Sequence, residues 1–416
     1  MPCNFKEITR YLRGTAFEGT SWTEMAGARA YLDYNASVPL LASARAAVVA
    51  ALDVAANPSS VHAEGRAARR LIEDARRDVA RLVSAKAEHV VFTSGATEAA
   101  STLLTPDWQM GRGAVRMSRL YVSEADHPCL LNGGRFPAAQ VTRIGVDADG
   151  VVRLDVLAEA LVQHDKAEGL PLVAIHAANN ETGVIQPVGR IAEIVKAAGG
   201  ILVVDAVQAT GRIPLDMSAG YADYLILSSH KIGGPKGVGA IVAASDLMMP
   251  KPLVSGGGQE KGHRGGTENL AAIAGFGVAA REALAGLQTI EAVRQRRDEI
   301  EAIVKTLVPD AEIFGTGALR LANTTFFAIA DIKAETAQIA FDLAGVALSA
   351  GSACSSGKVG PSHVLKAMGY GDGLGALRVS VGHATSAEDI ELFRSALATI
   401  VARQAGKEKA SRERAA

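Results

Sequence analysis

Short apolar runs separated by amphipathic helical stretches constrain this chain more than any other feature. Runs of strand length lie at 90–92, 120–122, 172–175, 201–204, 224–227 and 240–242. A strand that is apolar on both faces must be covered on both, and crossover helices supply that cover when strands run parallel. Helical periods fall between several runs. Residues 66–83 place Ala68, Leu71, Ile72, Ala75, Val79, Leu82 and Val83 three to four apart, and 191–198 is a shorter case. The pattern predicts an α/β fold with a mostly parallel sheet between helices.

Beyond residue 262 the glycine signals thin out. A long charged helix is expected over 287–307, and short strand or helix patterns return at 324–329, 334–344 and 377–381, which reads as a smaller α+β domain. The chain thus divides into an aperiodic extension, 1–29, expected to be disordered; a large domain, 30–262; a small C-terminal domain, 263–404; and a tail, 405–416, that frays after a last helix at 387–404. Residues 30–45 are candidates to pack on the small domain, and Met25 is an alternative start.

With 43 basic against 44 acidic residues, nothing recommends nucleic acid or an anionic membrane as a partner. No apolar stretch of the roughly 18–20 residues needed to cross a bilayer is evident, so a cytoplasmic setting is expected. Cys3, Cys129 and Cys354 are too few and scattered for a disulfide framework. Cys129, beside Leu130 and Leu131, reads as an inert core thiol. Cys354 lies in Ser349-Ala350-Gly351-Ser352-Ala353-Cys354-Ser355-Ser356-Gly357, a small, polar, glycine-rich stretch that suits a mobile loop with a reactive thiol.

In an open parallel sheet, ligands gather at the carboxyl ends of strands. Tyr224-Leu225-Ile226-Leu227 delivers Ser228, Ser229, His230 and Lys231 into a glycine turn, and Ile201-Leu202-Val203-Val204 delivers Asp205, with Gln208 close behind. A lysine to link an aldehyde and an aspartate for a pyridinium nitrogen are the protein groups that pyridoxal phosphate chemistry needs most. Lys236 is the rival lysine, but it follows the turn rather than the strand. Val90-Val91-Phe92 runs into Thr93-Ser94-Gly95-Ala96-Thr97-Glu98, where backbone N–H groups at a helix start and the Thr97 hydroxyl could cradle phosphate; an ordinary βα turn reads the same way.

Nine stretches, in order, resemble the cysteine desulfurases of the class V aminotransferase group. They are Tyr31 to Ala36, Asn57 to His62, Thr93 to Glu98, Asp126-His127-Pro128, Asn179 to Gly183, Val204 to Gln208, Ser229-His230-Lys231, Arg264 to Asn269 and Gly351 to Ser356. The likeness spans about residues 30–400. Ser37-Val38-Pro39 departs from it, standing where the family often has two threonines before proline.

The resemblance implies a fold type I pyridoxal phosphate enzyme, with a seven-stranded sheet in the large domain and the reactive cysteine loop in the small one. It implies Lys231 as the cofactor-linked lysine and base, Asp205 at the ring nitrogen, and His127 stacked over the ring. Gln208 would donate to the phenolic oxygen, with Ala96, Thr97, Ser228 and His230 at the phosphate and Asn180 near cofactor and substrate; turn-making stays open for Asn180. Arg378 matches the carboxylate-binding arginine, a surface arginine being its alternative. Thr267 matches a threonine that binds the phosphate of the neighbouring subunit, which implies a homodimer, unless it only makes a local turn.

Cys354 would take sulfur from L-cysteine as a persulfide, leaving alanine, and pass it to an iron–sulfur scaffold or another acceptor protein. No metal is expected in the resting enzyme, with Cys354 a transient iron–sulfur cluster ligand. An aminotransferase or selenocysteine lyase of the same fold, or a non-catalytic sulfur carrier, are the competing readings; of the enzymatic ones, only desulfuration requires Cys354.

Overall fold

The computed structural model describes residues 29–330, 332–351, 362–371 and 375–415. Residues 1–28, on which the expected extension falls, lie outside them, as do Cys3 and Cys354.

A two-residue strand, β1 (Ala30–Tyr31), precedes helices α1 (Ala42–Leu52) and α2 (Ala63–Leu82). The main sheet comprises β2 (Val90–Thr93), β3 (Asp107–Met110), β4 (Gly113–Ser123), β5 (Val141–Ile144), β6 (Leu170–His176), β7 (Ile201–Asp205), β8 (Tyr224–Ser228), β9 (Gly239–Ala243) and β10 (Met248–Pro250). Its order is β10-β3-β4-β6-β7-β8-β9-β2, with β5 beside the end of β4. Strands β5, β4, β6, β7 and β8 run parallel, β9 opposes β8, and β2 opposes β9.

Those seven strands are the body of the sheet. An antiparallel edge of β3 and β10 brings it to nine, two more than expected. Both edge strands are short: Trp108 alone is buried in β3, and β10 is three residues ending in proline, so neither has the length or pattern of a strand run.

The continuous runs are buried on both faces, as parallel strands require. Val90, Phe92, Val173, Ile175, Leu202, Val204, Leu225 and Leu227 face one core. Val91, Leu172, Ala174, Val203 and Ile226, one residue out of step, face the other. The connecting helices are α3 (Ala96–Leu103), α4 (Pro128–Leu131), α5 (Leu154–Val162) and α6 (Val188–Ala197).

Helix α7 (Leu270–Gly286) lies past residue 262 yet packs on α1 and α2, burying Ile273, Phe276, Ala279 and Ala280 in the first core. An 18-residue window within Leu270–Leu307 is apolar enough to pass for a membrane span by composition, which the sequence reading missed. Its apolarity is explained by packing: Gly277 sits where a Cβ would fall 2.5 Å from the Ala75 Cα, so small residues let two helices meet closely.

The rest comprises α8 (Ile290–Leu307), β11 (Glu312–Ile313), β12 (Thr324–Ala328), α9 (Ala334–Leu343), β13 (Val346–Ala347), β14 (Ser349–Ala350), α10 (His363–Ala367), β15 (Leu377–Ser380) and α11 (Ala387–Ala415). Strands β11-β12-β15-β14 form an antiparallel sheet, and β13 pairs in parallel with β1. Ala30 and Leu32 sit in the core of this part with Phe341, Val379 and Phe393. The last helix runs on through Ala415, past the expected end at 404.

Candidate active site

Five strand ends converge on one cavity. After β2 come Ser94 to Glu98; after β4, His127 and Cys129; β6 ends on His176, β7 on Asp205, and β8 on Ser228, with His230 and Lys231 in the turn beyond. These groups line a cavity of 450 Å³. Of the expected site residues, Ala96, Thr97, His127, Asn180, Asp205, Gln208, Ser228, His230 and Lys231 all line it. Lys236 lines it as well, from an exposed position.

The Lys231 amine donates to the backbone oxygens of Asn35 (2.6 Å) and Ala36 (3.0 Å). The Asn35 oxygen also accepts from Gln208 Nε2 at 3.0 Å, so one carbonyl gathers both groups. Asn35 itself is held by its side chain, which donates to the Asn180 carbonyl and Thr324 Oγ1 and accepts from Asn323 Nδ2. Asn35 lies in one of the nine resembling stretches, but its role rests on its backbone oxygen, which residue type does not reveal.

Asp205 is buried, and burial raises its carboxyl above the usual range, with Asp126 adding repulsion. The Val207 N–H, His176 and Lys231 pull the other way. A carboxyl so placed gains most from a cation brought alongside. His176, opposite Asp205 across β6 and β7, is hydrogen-bonded to Asp126 through Nδ1 and to Gln186 through Nε2.

His127 caps α4 by accepting the Cys129 N–H at Nδ1 (3.2 Å), so the neutral ring carries its proton on Nε2. Burial, then the charge of Lys231, lowers its pKa to about 4. Cys129, expected as an inert core thiol, does pack against the second core but also reaches the cavity. It is half-buried on the cavity wall, its Sγ 3.9 Å from Asp205 Oδ2, and burial beside these carboxylates drives its pKa well up. The cavity contact is not legible in the sequence, because Leu130 is wholly in the core while Cys129, one residue earlier, meets both core and cavity.

Pyridoxal phosphate suits this donor set. Gly95 brings no side chain to the first N–H groups of α3, and nothing lies within 4 Å of where its Cβ would stand, so the helix end is open to the cavity. That end, with Thr97 and His230, offers the donors a phosphate needs, while Lys231 and Asp205 provide the amine and the buried carboxyl.

Two expected residues among those described do not line the cavity. Arg378, on β15 and 1% exposed, donates to Asp33 Oδ1 (2.7 Å), Ser349 Oγ (3.1 Å) and the Asn180 oxygen (3.0 Å). Its Nε is buried without a hydrogen-bond partner, and it is no surface arginine. Asn180 connects this arginine to the cavity from a turn built by Asn179, whose Oδ1 accepts the N–H groups of Glu181 and Thr182. Thr267 is exposed and does not line the cavity of its own chain, although Arg264 nearby pairs with Glu98 of α3 at 3.2 Å. Cys354 lies outside the described residues.

The chain matches the aminotransferase class-V family over residues 30–393. It is 38% identical to a cysteine desulfurase of Cereibacter sphaeroides over 90% of this chain and 96% of that protein. It is 35% identical to an IscS-like cysteine desulfurase of Mycobacterium tuberculosis, again over 90% and 96%. Among solved structures it resembles a NifS-like protein from Rickettsia africae, with TM-score 0.80, 31% identity, and coverage of 90% of this chain and 99% of that one. With the cavity described above, these likenesses show that the chain belongs to the class-V aminotransferase family, on its pyridoxal phosphate-dependent cysteine desulfurase branch.

Proposed function

We propose that this enzyme moves the sulfur of L-cysteine onto Cys354, releasing alanine. The observation that carries the reading is the meeting of Lys231, Asp205, His127 and the open end of α3 around one cavity. When bound, pyridoxal phosphate supplies an aldehyde for an amine and a ring that withdraws electrons from the carbon attached to it.

The N–H groups at Ala96 and Thr97, with Ser228 and His230, would hold the phosphate, and Asp205 would keep the ring nitrogen protonated. Gln208 would donate to the phenolic oxygen. Lys231 would hold the aldehyde through its amine and, once that amine is free, would take the proton from the substrate α-carbon. Asn180 and Arg378 orient the substrate, the Arg378 Nε being a donor still open to a carboxylate. His127, neutral with its proton on Nε2, moves protons between substrate atoms.

Cys354 attacks as thiolate. The S–S bond forms as the carbon–sulfur bond breaks, and one proton delivered to the β-carbon and one returned to the α-carbon complete alanine. The persulfide passes to an iron–sulfur scaffold or another acceptor protein, with Cys354 a transient ligand of the growing cluster.

The working unit in this reading is a cytoplasmic homodimer in which Thr267 serves the partner's phosphate. The packing of α7 supports placing the boundary between large and small parts near residue 287 rather than 262.

Cys354→Ser tests the central step. It should keep the cofactor spectrum and its response to L-cysteine yet form no persulfide detectable by mass spectrometry, with alanine release down by at least about a hundredfold, since a serine hydroxyl is a poor sulfur acceptor. Alanine release at the original rate would remove the role of Cys354.

A further inference from the structure

Arg212 is buried beside the cofactor cavity, and no carboxylate pairs with it among the described residues. Its Nη1 donates to the Gln208 backbone oxygen at 2.8 Å and to Gln208 Oε1, and its Nη2 to the Tyr34 oxygen at 3.4 Å. A buried cation without a counter-ion is costly to keep. Burial, then repulsion from Arg378, lowers its pKa to about 9.

Its geometry with Gln208 suggests what the charge is for. A guanidinium can only donate and a peptide carbonyl can only accept. The Gln208 side chain lies between Arg212 and the Asn35 oxygen, so its amide has one workable orientation: oxygen toward Arg212, NH₂ toward Asn35. That NH₂ shares the Asn35 oxygen with the Lys231 amine, and Gln208 and Lys231 both line the cavity. With Arg212 removed the amide could turn over and present its oxygen to the cavity.

We infer that Arg212 is a positioning residue that locks the Gln208 amide with its NH₂ toward the cofactor's phenolic oxygen and strengthens that donor by polarising the amide. The inference rests on the reading of Gln208 as that donor.

The test follows the absorbance of the holoenzyme against pH. The midpoint of the near-visible transition reports how tightly a proton is held between the lysine–cofactor nitrogen and the phenolic oxygen. Loss of a donor to that oxygen makes it more basic and moves the midpoint up. The other titratable groups around the site, Lys231, Lys236, Glu98, Asp126, Asp205, His127, His176, His230 and the Arg378–Asp33 pair, are unchanged in every variant.

Gln208→Leu should raise the midpoint by about one pH unit, a tenfold change in proton affinity. Arg212→Met should match it, Arg212→Lys, which keeps a charged donor, should leave the midpoint near its starting value, and the double variant should move no further than Gln208→Leu alone. If Arg212→Met fails to accumulate, Arg212→Leu, which likewise removes both donor and charge, takes its place. An unmoved midpoint without Arg212, or additive shifts in the double variant, would overturn the inference. An unmoved midpoint in Gln208→Leu would instead overturn the donor reading beneath it.

Discussion

Lys231 and Lys236 both reach the cavity, but Lys231 is partly buried and held by two carbonyl oxygens, whereas Lys236 stands exposed beyond the glycine turn. Lys231→Ala should therefore abolish the near-visible band of protein mixed with pyridoxal phosphate and any borohydride-fixed adduct; an adduct at Lys236 would transfer the role. His127 carries a pH consequence. Its folded pKa of about 4 lies below the ordinary value of 6.5, so the unfolded chain binds the proton first as pH falls. The stability tied to the neutral ring is complete above about pH 6.5 and is lost on the way down to about pH 4. In cofactor-free protein this amounts to at most about 2 kcal/mol between pH 7 and pH 5, by urea unfolding. His127→Gln should flatten that dependence. His230, lowered to about 4 by burial and then by Lys231, acts in the same direction but is less buried. The chemical identity of Lys231, Asp205 and His127 was legible in the sequence because each follows a strand run or heads a short helix. The cavity contact of Cys129 was not, because one residue of rotation decides which side chain also reaches the cavity.

Helix α7 was hidden from the pattern reading by its own composition. Leu270 to Gly286 is rich in alanine and glycine, with little charge to mark an outer face, and only the packing on α1 and α2 gives it a side. Two glycines distinguish the causes. A methyl at Gly277 would fall 2.5 Å from the Ala75 Cα, a backbone atom that cannot step aside. Gly277→Ala should thus lower stability by roughly 1–3 kcal/mol through overpacking, despite the better helix propensity of alanine. Gly189, in the first turn of α6, has nothing within 4 Å of its Cβ position and is exposed, so Gly189→Ala should be neutral or stabilising by up to about 1 kcal/mol. Chemical denaturation of the two variants side by side reads the sign. Equal and favourable effects would mean that α7 does not pack closely on α2.

Across the whole molecule, the site draws on both ends of the chain. Asp33, Asn35, Arg378 and Ser380 meet because the segment after β1 bridges to β15, with Asp33 opposite Ser380 and the Asn35 N–H bonded to Ser380 Oγ at 2.9 Å. Thr267, exposed and away from its own cavity, sets a test of assembly. Lys231→Ala chains mixed with Thr267→Ala chains should regain activity if sites are shared: a hybrid dimer then holds one doubly damaged site and one intact in both residues, giving activity above either parent. Activity that stays at the parental level, or an active monomer by sedimentation, would remove the shared site. By itself the sequence determined the parallel α/β body, the strand ends that carry Lys231, Asp205 and Ser228, and the amphipathic α2, because burial on two faces and helical periodicity are local patterns written into consecutive residues. Only the tertiary structure decided that Arg378 is buried against Asp33, that the Asn35 carbonyl gathers Gln208 and Lys231, and that α7 packs with α1 and α2. Each of those rests on a contact between residues far apart in the chain, whose proximity comes from the closing of the fold and leaves no periodicity to read.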